Sequence, residues 1–256
     1  MRFGLARGRY GVRLAETPED VRAAQRLRHR LFRADRGAPA PGAAGEDASD
    51  LDVDQFDADC DHVMIEERRT GRLVCCFRLL PLSSGREIGR SYSAQFYELS
   101  SLNDFPGKIV EMGRFCIEPD HRNGDVLRLA WVAMTRYVDD RGFELLCGCS
   151  SFEGNDAEAY ADTFALLREK HLAPKRWLPR VKAPYVFRFG KLLKLRRPDP
   201  AKAMRLMPPL LRGYLSLGGW VSDHAVIDRD LNTLHVFTGL EVKRVPQRKV
   251  EILRQT

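Results

Sequence analysis

Hydrophobic and polar positions along this chain follow two different periods. Residues 10–15, YGVRLA, alternate as in a β-strand, and residues 16–32 then place apolar side chains at helical spacing. Thr17 in the N-cap position and Pro18 at the first helical position predict where this helix begins. The chain is therefore expected to open with a strand and an amphipathic helix.

The middle of the chain alternates strand-like and helix-like stretches. A hairpin across the RTGR turn and a short amphipathic piece are followed by a strand, a helix, a second strand and a second helix. The predicted bounds are 62–67 and 72–79 for the hairpin, 93–99 for the short piece, 109–117 and 143–149 for the strands, and 126–138 and 155–171 for the helices. This order predicts an α/β fold, with a mixed central sheet that contains a parallel strand pair flanked by helices.

Two further stretches complete the predicted organisation. Residues 35–50, DRGAPAPGAAGEDASD, are rich in Pro, Gly, Ala and Asp, which predicts a mobile loop. Residues 172–256 predict a helix near 206–217 and a hairpin of 219–227 and 233–242, forming a C-terminal extension packed on the same domain. We expect one domain over residues 1–256.

Composition narrows the class of protein. Apolar residues make up 44% and charged residues 30% of the chain, and no window reaches the roughly 18 apolar residues of a spanning helix. The N-terminus lacks the apolar core of a signal peptide, so a cytoplasmic location is expected. The six cysteines show no zinc-like pairs and are interpreted as buried reduced thiols. No metal site is predicted.

The net charge of +7 is concentrated in one part of the chain. Residues 168–205 contain 13 Lys and Arg against only Glu169 and Asp199. Three interpretations remain open: a solvated basic face, a site for an acidic protein, or a site for an anionic membrane. The block has no base-reading motif, so no nucleic acid partner is predicted.

Histidines and aspartates of the last predicted hairpin are a second candidate cluster. They lack the spacing of metal ligands, and turn chemistry is the preferred explanation. They are His224, His235, Asp223, Asp228 and Asp230.

The order of elements resembles the GNAT acyltransferase fold, in which an acyl thioester lies between the two central parallel strands. The phosphate-cradling loop of that fold corresponds here to HRNGDVL, residues 121–127, with Asp125 at the start of the helix. A carboxylate at that place repels the pyrophosphate of coenzyme A. The sequence therefore favours an acyl donor carried on the phosphopantetheine of acyl carrier protein, with no separate cofactor.

Four short motifs carry a narrower resemblance. They are Arg28-x-x-x-Phe32, Asp54-x-x-Asp57, Arg78 within CFRLLP, and Glu111-x-x-Arg114-Phe115. In order and spacing they resemble the polar residues of acyl-homoserine lactone synthases. Over nearly the whole length, EMGRFCI, the FEGND turn and the closing PPLLRGYLSLGGWVSDHAVIDRDLNTLHVF resemble the ornithine lipid N-acyltransferase family.

That resemblance implies a reaction. A 3-hydroxyacyl chain would pass from acyl carrier protein to the α-amine of L-ornithine, giving lyso-ornithine lipid. One alternative is an acyl-homoserine lactone synthase or another N-acyl amino acid synthase. An alternative of another class is a non-enzymatic basic module that binds an acidic protein or an anionic membrane.

The implied reaction assigns roles to the motif residues. Glu111 is the candidate base, because the amine must lose a proton to attack, with a structural ion pair to Arg114 or Arg78 as its alternative role. Alternation along a strand places Glu111 and Arg114 on opposite faces unless a bulge intervenes. Such a bulge would offer backbone N–H groups near residues 115–117 to an oxyanion. Tyr160 is a candidate donor of a proton to the departing thiolate, with packing as its alternative role.

An amino-acid acceptor also needs charged partners. Arg28 and Arg78 suit its carboxylate, and Asp54 or Asp57 suits a side-chain ammonium. Within the basic block, Lys175, Arg176, Arg180 and Lys182 are expected to steer acyl carrier protein, which is acidic. The stretch YVFRFGKLLKLRR, residues 185–197, is basic and amphipathic and is expected to rest on the inner membrane.

Overall fold

A computed structural model of the protein describes residues 4–34 and 50–254. Contacts divide the chain into two compact units. Unit 1 comprises Met1–Pro81, Met112–Gly142 and Gln247–Thr256, and unit 2 comprises Leu82–Glu111 and Phe143–Pro246. The predicted mobile loop, residues 35–50, lies outside the described residues except for Asp50. One domain over the whole chain stays a prediction.

Unit 1 is built on an antiparallel sheet in which β1, β2, β3 and β4 follow one another in chain order. Its strands are β1 Leu5–Arg7, β2 Tyr10–Leu14, β3 Asp61–Glu67 and β4 Leu73–Leu82, and its helices are α1 Pro18–His29, α2 Gly124–Arg141 and α7 Gln247–Arg254. The sheet-order neighbour of β4 is β6, Lys108–Ile117, which starts in unit 2 and ends in unit 1. The predicted hairpin is confirmed as β3 and β4.

Helix α1 begins where the sequence predicts. The hydroxyl of Thr17 accepts from the backbone N–H of Asp20, and the Asp20 carboxylate accepts from the backbone N–H of Thr17, which forms a capping box. Ala24 and Leu27 are buried against Cys76 and Cys116. The chain continues beyond α1 as a π-helical segment, Arg30–Ala34. This segment carries the buried Leu31 into the same cluster.

A capping residue at each end sets the bounds of helix α2. Asn123 caps its start, where the side-chain oxygen accepts from the backbone N–H groups of Asp125 and Val126. Gly142 ends it with a left-handed φ of 68°, which glycine adopts without a steric penalty. The helix is therefore longer at both ends than the predicted 126–138.

Unit 2 contains the parallel pair that the sequence predicts. The first residues of β6 run parallel to β7, with Ile109 opposite Leu145 and Glu111 opposite Cys147, where the ladder ends. Strand β7 is paired antiparallel with β12, and β12 with β11 and β10. The strands are β5 Tyr97–Glu98, β7 Phe143–Glu153, β8 Arg180–Val181, β9 Val186–Phe187, β10 Trp220–Val221, β11 Ala225–Asp228 and β12 Thr233–Glu241.

Four helices of unit 2 cover one apolar cluster. They are α3 Ala161–Lys170, α4 Phe189–Leu192, α5 Pro200–Leu206 and α6 Pro209–Ser216. Phe164 of α3 stacks on Phe189 of α4, with ring centroids 5.1 Å apart, at the centre of this cluster. None of the helices in the described parts of the chain combines the length and the apolar character needed to span a bilayer.

Helix α3 is shorter than the predicted 155–171. The Asp156 carboxylate accepts from the backbone N–H of Glu158, and a short 3-10 turn over Glu158–Tyr160 precedes the helix. Aspartate competes in this way for backbone groups that a helix would otherwise use. The prediction was wrong over residues 155–160 for this reason.

None of the six cysteines forms a disulfide, and four of them are buried, in line with the prediction of reduced thiols. The sulfur atoms of Cys76 and Cys116 lie 3.5 Å apart in the unit 1 core. The hydrogen bond to Cys116 and burial raise the pKa of Cys76 well above its ordinary value. This thiol is therefore protonated at neutral pH.

Candidate active site

Four of the motif residues meet in unit 1. Arg28 donates from Nη1 and Nη2 to the two carboxylate oxygens of Asp57, at 2.9 Å each. Arg78 donates from Nη1 to Asp57 at 2.7 Å and to Asp54 at 2.5 Å, and from Nη2 to Asp54 at 2.7 Å. We call this group, together with Asp52 and Arg114, the Arg–Asp cluster. The sequence motifs had named Arg28, Asp54, Asp57 and Arg78, and the structure brings these four residues together.

Asp52 belongs to this cluster and was missed by the sequence analysis. It is 1% exposed and accepts from Nε of Arg28 at 3.0 Å and from Nε of Arg114 at 2.9 Å. Its backbone carbonyl also accepts from Arg28, and Arg33 lies 3.4 Å from its carboxylate. Asp52 stands in the acidic run DLDVDQFDAD, in which nothing marks it out from its neighbours.

Arg114 interrupts the regular geometry of β6. Its φ is 54°, in the left-handed region that costs a residue with a side chain about 1–2 kcal/mol. Its guanidinium donates to Asp52 and, from Nη2, to Asp54 at 3.1 Å. The strict alternation that would put Glu111 and Arg114 on opposite faces therefore does not hold through this residue.

The two aromatic residues of the motifs pack close to the Arg–Asp cluster. Phe115 contacts Phe77 of β4, with ring centroids 5.5 Å apart. Phe32 is partly buried against the core cluster that contains Leu27 and Cys76. Both side chains are placed where they support the strand and helix that carry the charged residues.

Opposite charges keep the carboxylates of Asp52 and Asp57 ionised. Burial alone would raise the pKa of Asp52, but the charges of Arg114, Arg28 and Arg33 outweigh it and lower that pKa. Burial acts on Asp57 in the same way, and its bonds to Arg28 lower its pKa far below the ordinary value. Burial would lower the pKa of Arg28, but the two aspartates raise it. Arg28, Asp52 and Asp57 are therefore charged at neutral pH.

This network bears on the predicted substrate contacts. Arg28 and Arg78 are 1% and 3% exposed, and both already donate to carboxylates of the chain. A substrate carboxylate would have to compete with these aspartates. Binding of substrate by Arg28, Arg78, Asp54 or Asp57 stays a prediction.

Glu111 lies in unit 2, where backbone and side-chain donors hold its carboxylate. Oε2 accepts from the backbone N–H of Tyr92 at 2.7 Å, and Oε1 accepts from the backbone N–H of Ser93 at 2.8 Å and from its hydroxyl at 2.5 Å. The Ser93 hydroxyl also lies 3.3 Å from the sulfur of Cys149. Glu111 is 3% exposed, and it is fixed at the end of the parallel ladder.

Ser93 is a second residue that the sequence analysis missed. The sequence predicted only a short amphipathic piece over 93–99, and the structure has a 3-10 turn, Ser93–Gln95, followed by β5. The turn brings two backbone N–H groups and one hydroxyl to a single carboxylate. No sequence pattern names such a contact between a turn and a strand.

Tyr160 precedes α3 and packs among aromatic rings. Its hydroxyl donates to the backbone carbonyl of Glu153 at 2.8 Å, and its ring lies 5.0 Å from that of Phe152 and 6.3 Å from that of Phe164. Burial raises the pKa of Tyr160, so the hydroxyl is protonated at neutral pH. The contacts support a packing role, and proton donation stays a prediction.

The start of α2 corresponds to the phosphate loop of the GNAT fold. The Asn123 side chain occupies the N–H groups of Asp125 and Val126, and the Asp125 carboxylate accepts from Nε of Arg7 at 2.8 Å. A pyrophosphate at this helix end would have to displace Asn123 and face Asp125. The choice between coenzyme A and acyl carrier protein as the acyl donor stays a prediction.

The four cations predicted to steer acyl carrier protein have mixed surroundings. Arg176 lies over the ring of Trp177 and 3.4 Å from Glu241. Arg180 lies 3.7 Å from Glu98, and Lys182 donates to the backbone carbonyl of Ala94 at 2.6 Å. Lys175 is exposed at the start of a short turn.

The two histidines of the last hairpin occupy different positions: His235 lies within β12, so the turn interpretation was wrong for it, whereas His224 lies in the bend between β10 and β11. His224 and His235 are buried, and the Tyr97 hydroxyl lies 3.1 Å from Nδ1 of His235 and donates to the backbone carbonyl of His235 at 2.8 Å. Asp228 does shape the turn, because its carboxylate accepts from the N–H groups of Asp230 and Leu231. The two histidines therefore belong to the core of unit 2.

Comparison with known proteins identifies the class. The family model of the acetyltransferase (GNAT) domain matches residues 27–132, which include the whole Arg–Asp cluster and Glu111. The fold class predicted from the sequence is confirmed, and the protein is an acyltransferase. A CoA-dependent acyl-homoserine lactone synthase, solved with SAM and isopentyl-CoA, is 15% identical to this chain. The match covers 93% of this chain and 82% of that protein, with a TM-score of 0.49.

Curated relatives are more similar in sequence. The L-ornithine N(alpha)-acyltransferase of Rhodobacter capsulatus is 34% identical over 247 residues, which cover 94% of this chain and 93% of that protein. The enzyme of the same name from Rhizobium meliloti is 30% identical over 244 residues, covering 93% of this chain and 81% of that protein. The chain belongs to the L-ornithine N(alpha)-acyltransferase family. A non-enzymatic basic module is no longer a tenable alternative.

Proposed function

We propose that this enzyme transfers a 3-hydroxyacyl chain from acyl carrier protein to the α-amine of L-ornithine and so produces lyso-ornithine lipid. The observation that carries the proposal is the 34% identity, over nearly the whole of both chains, to a relative named L-ornithine N(alpha)-acyltransferase. The reaction would take place in the cytoplasm, where acyl carrier protein is found.

The proposed reaction forms one bond and breaks one. The amine nitrogen attacks the thioester carbonyl, a C–N bond forms, and the C–S bond breaks to release the phosphopantetheine thiol. The amine loses a proton to Glu111, directly or through one water, and a proton passes to the leaving sulfur. Glu111 suits this role because donors from Tyr92 and Ser93 fix the position of its carboxylate.

Acyl carrier protein is the proposed donor for two reasons. The start of α2 is capped by Asn123 and carries Asp125, which disfavours a coenzyme A pyrophosphate there. The basic residues Lys175 and Arg180 are exposed and suit an acidic carrier. Reversing the charge of both residues should raise KM for the carrier, whereas the same change at Arg69 and Arg128, exposed residues of unit 1, should not.

Mass spectrometry of the product tests donor and acceptor together. Purified enzyme is incubated with L-ornithine, lysine and S-adenosylmethionine, and with a mixed pool of 3-hydroxyacyl and plain acyl chains on acyl carrier protein or coenzyme A. The expected product is Nα-(3-hydroxyacyl)ornithine from the carrier. An acyl-homoserine lactone would favour the synthase alternative, and thiol release without preference for ornithine would overturn the proposed acceptor.

A further inference from the structure

One surface of unit 2 combines projecting leucines with unpaired cations. We call it the α4 surface, and it consists of Arg188, Lys191, Leu192, Lys194, Leu195 and Arg197. Leu192 is 66% exposed and Leu195 is 98% exposed, although both are large aliphatic residues. Soluble surfaces rarely hold two such side chains so close together unless they contact something else.

The leucines are held outward by the core beneath them. Phe189 and Leu193, on the other side of the same turn, are buried in the apolar cluster of unit 2. Backbone hydrogen bonds from the N–H of Leu193 to the carbonyl of Phe189 and from that of Arg196 to the carbonyl of Leu193 fix the turn. Leu192 and Leu195 therefore cannot turn inward unless Phe189 and Leu193 leave the core.

The cations of the α4 surface are available to a partner. Residues 188–197 contain five Lys and Arg and no acid. Within the described residues, the side chains of Arg188, Lys191, Lys194 and Arg197 have no carboxylate or hydrogen-bond partner, whereas Arg196 pairs with Asp162 at 3.2 Å. They differ in this from Arg176, Arg180 and Lys182, whose side chains contact other residues of unit 2.

We propose that the α4 surface binds an anionic lipid bilayer. Leu192 and Leu195 enter the boundary between headgroups and acyl chains, and the four unpaired cations face lipid phosphates. Stable attachment to a membrane needs both an apolar and an electrostatic contribution, and this surface supplies both. A side chain that projects as fully as Leu195 suits a deformable interface, whereas a folded protein would need a matching cavity to receive it.

Vesicle flotation tests the apolar part of the proposal. The intact chain should float with vesicles of phosphatidylcholine containing about a third phosphatidylglycerol, and not with phosphatidylcholine alone. Leu192→Ser with Leu195→Ser should weaken this binding at least about tenfold. The control is Ile252→Ser, which removes an apolar side chain that is 45% exposed on α7, and it should leave binding unchanged.

Charge reversal tests the electrostatic part. Lys191→Glu, Lys194→Glu and Arg197→Glu together should abolish binding at moderate salt, and binding by the wild-type chain should weaken as salt rises. The matched control carries Arg69→Glu, Arg86→Glu and Arg128→Glu, which change the net charge by the same amount at exposed sites outside the α4 surface. Circular dichroism verifies that every variant is folded.

Three outcomes would overturn the proposal. Equal vesicle binding by the leucine variant and the wild type would remove the role of Leu192 and Leu195. Loss of acyl carrier protein binding in the α4 charge variant, without any vesicle binding by the wild type, would assign the surface to that protein. A dimer that dissociates in the leucine variant would assign it to a second copy of the chain. Each result is independent of which amine is acylated, because no acyl transfer is measured.

Discussion

Arg28 and Asp52 form an ion pair in which both side chains are 1% exposed, with Nε of Arg28 3.0 Å from Oδ2 of Asp52. The Arg28 guanidinium also donates to the Asp52 backbone carbonyl. Two charges removed from water in this way stabilise a protein only when their remaining donors and acceptors are also satisfied. Here Asp57 and Arg114 supply those additional bonds.

We expect Asp52→Asn to destabilise unit 1 strongly. The substitution removes the negative charge that Arg28, Arg33 and Arg114 share, and leaves their positive charges buried together. Removing one charge of a buried ion pair lowers the unfolding free energy by about 3–5 kcal/mol. Urea unfolding of the variant and the wild type measures the change. Asp120→Asn, at an exposed aspartate of the same unit, is the control and should change stability by less than about 0.5 kcal/mol.

Local sequence signals predicted much of this fold. Thr17 and Pro18 marked the start of α1, and apolar runs marked β3, β4, β6 and β7. The signals failed where a polar side chain competes with the backbone, as Asp156 does before α3. They also missed the short strands β8 and β9, whose few residues are defined by their partners and not by a pattern of their own.

The candidate site was predicted only in part. The sequence motifs named Arg28, Asp57 and Arg78, since they resemble a known set of residues, and the structure brings them together. Asp52 could not be selected, because its importance depends on burial between arginines from two separate parts of the chain. The left-handed φ of Arg114 was equally hidden, because an arginine within an apolar strand predicts ordinary extended backbone.

We expect Ser93→Ala to lower kcat about tenfold with little change in KM for the amine. The substitution removes one of the donors that fix Glu111, so the base remains but its position is less defined. Steady-state kinetics with varied amine measures both constants. Ser151→Ala, at an exposed serine of β7, should leave both unchanged. A lower unfolding free energy with unaltered kcat would show that the contact serves stability alone.

We expect Tyr160→Phe to keep kcat within about twofold of the wild type. The Tyr160 hydroxyl already donates a hydrogen bond to the backbone carbonyl of Glu153. A phenylalanine at this position keeps the ring contacts with Phe152 and Phe164. Loss of that hydrogen bond should lower the unfolding free energy by about 1 kcal/mol. A fall in kcat of about 100-fold would instead identify Tyr160 as the acid that protonates the leaving thiolate.

The buried imidazole of His235 makes stability depend on pH. Burial, with a smaller contribution from His224, lowers its pKa to about 3, whereas an unfolded histidine titrates near 6.5. The Tyr97 hydroxyl, which faces Nδ1, and the His224 imidazole are the titratable groups beside it. Between these two pKa values the unfolded chain binds a proton that the folded chain does not. The unfolding free energy therefore falls as the pH falls through this window.

We expect His235→Gln to weaken this dependence and to leave the part that comes from His62 and His171, whose pKa values burial also lowers. One such site changes the unfolding free energy by up to about 1.4 kcal/mol per pH unit, and glutamine cannot take up the proton. Urea unfolding is measured at about pH 7, 6 and 5. These pH values lie above the range in which Asp162, whose pKa is lowered to about 2 by the bond to Arg196, changes the unfolding free energy. Tyr97→Phe keeps the imidazole and should keep the wild-type slope. An unchanged slope in His235→Gln would show that another group controls the acid response.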